Sequence, residues 1–197
     1  MFILGLTGSI GMGKSATAKM FREFGIPVHD ADATVHQLMG PKGRATKQIE
    51  ATFQGCLAED GSVDRQKLGN HVFGNDEALK KLEAILHPMV REEERKFLRL
   101  CQLHHNPLVV LDIPLLFETK GEERCDAVAV VSASKTLQAK RVMARSGMTW
   151  EKFQAIVKKQ TPDALKRKKA DYIILSGAGF RTARNQVQHI INEIKRT

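Results

Sequence analysis

Eight residues near the N-terminus carry the clearest chemistry in the chain. Gly8-Ser9-Ile10-Gly11-Met12-Gly13-Lys14-Ser15 fits G-x-x-x-x-G-K-S/T. Its glycines let the backbone wrap closely, so that successive N–H groups and a helix N-terminus face an anion. Lys14 reaches the β- and γ-phosphate oxygens of a nucleoside triphosphate, and the Ser15 hydroxyl is a ligand for Mg²⁺. Gly8, Gly11, Met12, Gly13 and Ala16 complete the phosphate-binding stretch. The plainer alternative is a glycine-rich turn with an exposed lysine. Context decides against it, because an apolar run, Phe2 to Thr7, precedes the loop and a helical pattern begins at Lys14. The loop alone does not say where the γ-phosphate goes. A GTPase would carry D-x-x-G and N-K-x-D, and neither occurs. A large motor ATPase needs more chain, whereas a small kinase fits.

Further polar residues fall where such a site needs them. Asp30-Ala31-Asp32 lies just past a second short extended segment, where a doubly wound sheet opens its ligand crevice. Asp32 is suited to take the proton of an attacking hydroxyl, although an aspartate there also suits a helix N-cap. With two carboxylates in the segment, one can cap while the other works. Asp112 ends an apolar strand, the place of a carboxylate that helps hold Mg²⁺; its alternative is a capping or turn aspartate before Pro114. Pro114 and Leu115, with the residues up to Phe117, read as an apolar wall for the acceptor. Arg141 and Arg145 are four apart, on one face of an expected helix over 134–145.

The elements that must position these residues alternate strand and helix. Strands are expected at 2–7, 28–29, 108–112, 127–131 and 172–175, with near-continuous apolar runs at 108–112 and 127–131 that suit burial on both faces. Helices are expected over about 14–24, 64–73, 77–103 with a break at His87-Pro88, 149–159, 162–169 and 181–194. Lys166 to Lys169 reads as a solvated charge run. The pattern predicts an α/β fold, a doubly wound five-stranded parallel sheet, with an all-helical block at about 41–103.

The 197 residues carry 31 Lys and Arg against 22 Asp and Glu, a net charge of +9. That excess favours anionic partners without choosing among them. Three scattered cysteines form no C-x-x-C pair, as expected of a reduced, cytoplasmic chain. No apolar run approaches the roughly 20 residues that span a bilayer, so no membrane partner is expected.

Gly5 to Ser15, Asp30-Ala31-Asp32, Val72-Phe73, His87-Pro88 and Asp112-Ile113-Pro114-Leu115-Leu116-Phe117-Glu118, followed by Gln138-x-x-Arg141-x-x-x-Arg145 and Ala170-Asp171-Tyr172-Ile173-Ile174, resemble the dephospho-CoA kinase family over essentially the whole chain. The resemblance implies transfer of the ATP γ-phosphate to the 3′-hydroxyl of dephospho-CoA, the last step of coenzyme A biosynthesis, with Mg²⁺. It implies an adenylate-kinase-like single domain: a core at about 1–40, 104–135 and 170–197, a helical acceptor-binding subdomain at about 41–103, and a lid at about 136–169. It gives Lys14, Asp32 and Arg141 catalytic roles, Arg145 a place on ATP, and Asp30, Arg65, His87, Pro114 and Leu115 contacts to the acceptor. Without it, His87 reads as structural and Arg65 as a surface salt bridge. The chain departs from the family pattern at Ser9, Met12 and Ala16, and at Leu175-Ser176-Gly177, where an asparagine is usual. Another small-molecule kinase leaves the D-x-P-L-L-F-E match unexplained. A nucleic-acid-dependent ATPase lacks basic–aromatic interleaving, so the expected partners are ATP and dephospho-CoA, with no nucleic acid.

Overall fold

A computed structural model of the chain describes residues 1–196. Five strands, β1 (Phe2–Thr7), β2 (Val28–Asp30), β3 (Leu108–Asp112), β4 (Ala127–Ser132) and β5 (Tyr172–Leu175), form a parallel sheet in the order β2-β3-β1-β4-β5. β3 and β4 are buried from end to end, as their unbroken apolar runs require of strands covered on both faces. Registers pair Leu6 of β1 with Asp112 of β3, and Thr7 with Val130 of β4. The C-terminal ends of the three central strands therefore lie side by side.

By its contacts the chain divides into two compact units, Met1–His29 with Leu100–Thr197, and Asp30–Arg99. In the first, α1 (Lys14–Glu23) and α9 (Phe180–Ile194) cover one face of the sheet. Phe21, Val187 and Ile191 meet Leu4, Val110 and Ile174 there. The same unit carries α6 (Lys135–Met143), α7 (Trp150–Lys159) and α8 (Asp163–Lys169). Ser134 and Thr149 cap the first two, each accepting a backbone N–H in the first turn.

The Asp30–Arg99 unit has its own apolar centre, in which Leu38, Ile49, Phe53, Val63, Leu68 and Leu86 pack together. It is built from α2 (Ala31–Leu38), α3 (Thr46–Thr52), α4 (Arg65–Val72) and most of α5 (Asp76–Leu103). The expected break at His87-Pro88 does not occur, because α5 runs through Pro88. A proline removes one helix hydrogen bond, to the carbonyl four residues back. Pro88 and that residue, Ala84, are both exposed, so the released carbonyl faces water.

Candidate active site

The loop after β1 is shaped by close approaches that only glycine permits. Gly11 and Gly13 have φ of +77° and +93°, and a Cβ at Gly8 would lie 2.7 Å from the Val131 carbonyl oxygen. Gly13 stands at the N-cap of α1, so the first N–H groups of that helix open toward the loop. Outward-facing carbonyls of the loop are held from outside. Ile10 O accepts from Gln138 Nε2 at 2.8 Å, and Met12 O from the Ser176 hydroxyl at 2.6 Å. Arg141 donates to the Ser176 hydroxyl at 2.9 Å and to the Ser176 carbonyl at 3.1 Å, with a longer contact of 3.4 Å to Gly11 O. Met12 itself is buried, and its sulfur accepts the Ala133 N–H. Its side chain anchors the loop to the end of β4, and its N–H closes a turn inside the loop onto the Ser9 carbonyl at 3.1 Å.

Lys14 reaches back across the sheet end, where its Nζ lies 2.6 Å from Asp112 Oδ1. Asp112 is 1% exposed, and the β1–β3 register puts it beside the end of β1. Ser15 and Ala16 are exposed on the first turn of α1. A buried carboxylate and a serine hydroxyl beside an anion cradle are hard oxygen donors, the kind Mg²⁺ takes alongside phosphate and water. The two residues fit that ion. Pro114 is held by its carbonyl, which accepts the Thr7 hydroxyl, and Leu115 is exposed beside it.

In the Asp30–Arg99 unit, Asp30 is the N-cap of α2, accepting the Ala33 N–H at 3.0 Å. Asp32, the second residue of α2 and still in its first turn, takes no part in the cap and is exposed. A pocket of about 380 Å³ lies among α2, α4 and α5, lined among others by Asp32, His36, Arg65, Leu68 and Leu86. The structure thus brings Asp32 and Arg65 to one cavity. His87 is exposed on α5 and outside that lining.

Two sequence expectations need correction. Arg145 does not share a helix face with Arg141, because α6 ends at Met143 and Arg145 N–H closes a turn onto Val142 O. Lys166 is not on a solvated face. It is wholly buried, with Nζ 3.1 Å from Glu118 Oε1. Burial pushes the Glu118 carboxyl up, but the Thr161 N–H, its own backbone N–H and the Lys166 ammonium outweigh this and hold it below the usual carboxylate range. Gln160 is not marked by the sequence, and Ser176 stands out there only as part of the Leu175-Ser176-Gly177 departure from the family pattern, with no role attached. No local signal points to its contacts with the loop, whereas Gln138 sits three residues before Arg141, a spacing that puts both on one face of α6.

This sheet order, with a glycine loop after β1, a helix opening at Lys14 and a carboxylate ending the neighbouring strand, defines a P-loop α/β protein. Residues 2–181 match the family described as dephospho-CoA kinase. A dephospho-CoA kinase of Bradyrhizobium diazoefficiens is 54% identical over 194 residues, 98% of this chain and 96% of that protein. Among solved structures, TT1252 from Thermus thermophilus superposes with a TM-score of 0.85 at 34% identity, covering 98% of this chain and 96% of the other. Dephospho-CoA kinase from Campylobacter jejuni gives 0.73 at 28%, covering 98% and 97%. The chain belongs to the dephospho-CoA kinase family.

Proposed function

We propose that this protein transfers the γ-phosphoryl group of ATP to the 3′-hydroxyl of dephospho-CoA, in the cytoplasm, as the last step of coenzyme A biosynthesis. One observation carries the reading: an intact P-loop whose lysine is held on a buried strand-end aspartate, in a chain that matches this family over residues 2–181. The loop N–H groups and Lys14 bind the β- and γ-phosphates, and Lys14 neutralises charge that shifts as the phosphoryl group moves. Asp112 and Ser15 would hold Mg²⁺, which when bound adds further charge neutralisation on the phosphates.

Asp32 takes the proton of the attacking hydroxyl. The capping bond made by Asp30 supports this, since it leaves the Asp32 carboxylate uncommitted at the pocket. Arg65 binds anionic groups of the acceptor in the same pocket. Asp30, His87, Pro114 and Leu115, none of which lines that pocket, are further acceptor contacts. Arg141 places positive charge beside the loop, and Arg145 adds a second cation on ATP. Three free cysteines, two of them buried, agree with a reducing compartment. Among the described residues no helix is long and apolar enough to cross a membrane.

The test is an incubation of purified protein with ATP, Mg²⁺ and dephospho-CoA, read by mass spectrometry. Stoichiometric CoA and ADP are expected. ATP binding without CoA formation, and phosphorylation of another acceptor in a nucleoside and nucleotide screen, would overturn the acceptor assignment.

A further inference from the structure

The turn between α7 and α8, together with α8 itself, makes a dense set of contacts that the reaction outlined above does not use. Gln160 Oε1 accepts the Ile10 N–H at 3.0 Å. The next residue, Thr161, donates its N–H to Glu118 Oε1 at 2.7 Å. Asp163 Oδ2 accepts the hydroxyl of Ser132, the last residue of β4, at 2.7 Å. Lys166 buries its whole side chain to reach Glu118, and Lys169 lies 5.5 Å over the ring of Phe117. Four residues of one short stretch thus pin it to the β4 end and to the loop that follows Asp112. What that pinned turn presents to the P-loop is a single amide oxygen.

Ile10 is held on both sides. Its N–H goes to Gln160 and its carbonyl accepts from Gln138 of α6, so both ends of one residue's backbone are fixed by side-chain amides from elsewhere. An anion cradle needs N–H groups turned inward and carbonyls turned outward. A flexible, glycine-rich loop does not hold that arrangement unaided, because each glycine adds backbone freedom. Buried pairs such as Lys166–Glu118 are costly to form and weak evidence of stability for its own sake. Fixing a particular turn is the better account of this pair, whose carboxylate also takes the Thr161 N–H.

We propose that Gln160 is a positioning residue for the triphosphate: the turn that carries it, locked by Lys166 and Glu118, clamps the Ile10 peptide against Gln138 and so holds the P-loop in its phosphate-binding shape. This rests on the P-loop being the ATP site, and not on the identity of the acceptor.

The experiment measures Kd for Mg·ATP and for AMP by calorimetry on the full chain, for the parent, Gln160→Met, Gln138→Met and the double variant, with thermal melts alongside. Methionine keeps the length and removes the amide. Each single change is expected to weaken Mg·ATP about tenfold, the size of one polar backbone group left unpaired. AMP, which has no β- or γ-phosphate, should lose less than about twofold. Because both glutamines act on one residue, the double variant should lose clearly less than the product of the singles. A structural role alone would lower the melting temperature and leave the ATP-to-AMP ratio unchanged. Glu118→Gln supplies a second route should Gln160→Met fail to fold: it keeps an oxygen for the Thr161 N–H, discharges the partner of Lys166, and should weaken Mg·ATP selectively by about threefold. Mg·ATP affinity within twofold of the parent, or equal losses for the two nucleotides, overturns the proposal. A parent that binds no Mg·ATP overturns both this and the proposed function, whereas a parent that binds Mg·ATP but makes no CoA overturns only the acceptor.

Discussion

Replacing Lys166 by Met tests whether a side chain that looks like a surface charge is part of the interior. Lys166 is 0% exposed and the side chain of Glu118 17%, with 3.1 Å between Nζ and Oε1. Removing one partner of a buried pair leaves the other charge uncompensated, at a cost of about 3–5 kcal/mol. Glu118 keeps the Thr161 N–H, which places the expected loss near the lower end, about 3 kcal/mol. For a chain of this size 1 kcal/mol moves Tm by about 2–4 °C, so Lys166→Met should melt about 6–12 °C below the parent at pH 7.

The pH dependence has a definite sign. Glu118 is held below its ordinary range in the folded protein, so its contribution is present above the unfolded carboxylate pKa and is lost as pH falls through the lower folded value. Without Lys166 the folded carboxyl rises, and protonation relieves the variant sooner. The gap between parent and variant should therefore narrow as pH falls below about 4. Calorimetric melts from pH 7 to 3.5 measure it. Lys166→Met combined with Glu118→Gln removes both charges and should recover part of the loss. A single variant within about 2 °C of the parent at pH 7, or a double variant worse than the sum of the two singles, would refute the reasoning.

The other expectations concern chemistry and surface charge. Asp32→Asn should lower kcat by about 10²- to 10⁴-fold with little change in Mg·ATP affinity or Tm, because Asp30 makes the cap; kcat within about threefold of the parent would remove Asp32 from the mechanism. Lys14→Ala should lower both Mg·ATP affinity and turnover, since it removes the cation nearest the shifting charge; steady-state kinetics with a binding isotherm checks both, and unchanged affinity would contradict the role. Glu92 hydrogen-bonds with Arg44 and Lys96, which holds its carboxyl down at about 2. A carboxyl-resolved NMR titration should find that midpoint at low salt and see it climb at high ionic strength, because the group is exposed and its partners are screened. A salt-independent midpoint near 4 would contradict the network.

Much of the fold is local and was legible in the residues. β1, β3 and β5 span the expected residues, and the glycine spacing of 8, 11 and 13 together with Lys14 and Ser15 encodes the phosphate cradle within one strand–loop–helix. These features come from short-range sterics and from apolar runs that leave no exposed face. The caps at Ser134 and Thr149 are likewise local. What the residues left open was decided by partners distant in the chain. Asp30 and Asp32 both suit a cap, and only the folded backbone gives the cap to Asp30. A charged stretch such as Asp163 to Lys169 reads as solvated unless a carboxylate from another element meets it, and Glu118 does so only once β3 and α8 are in place. Gln138, Gln160 and Ser176 each hold the backbone of Ile10 or Met12 across long stretches of chain, contacts that no periodicity encodes. The sequence by itself determined that a phosphate-binding loop and a parallel sheet would form, because backbone geometry and apolar runs act over neighbouring residues. Only the tertiary structure decided which side chains hold that loop and which charges are buried, because those depend on which strand ends the sheet order brings together.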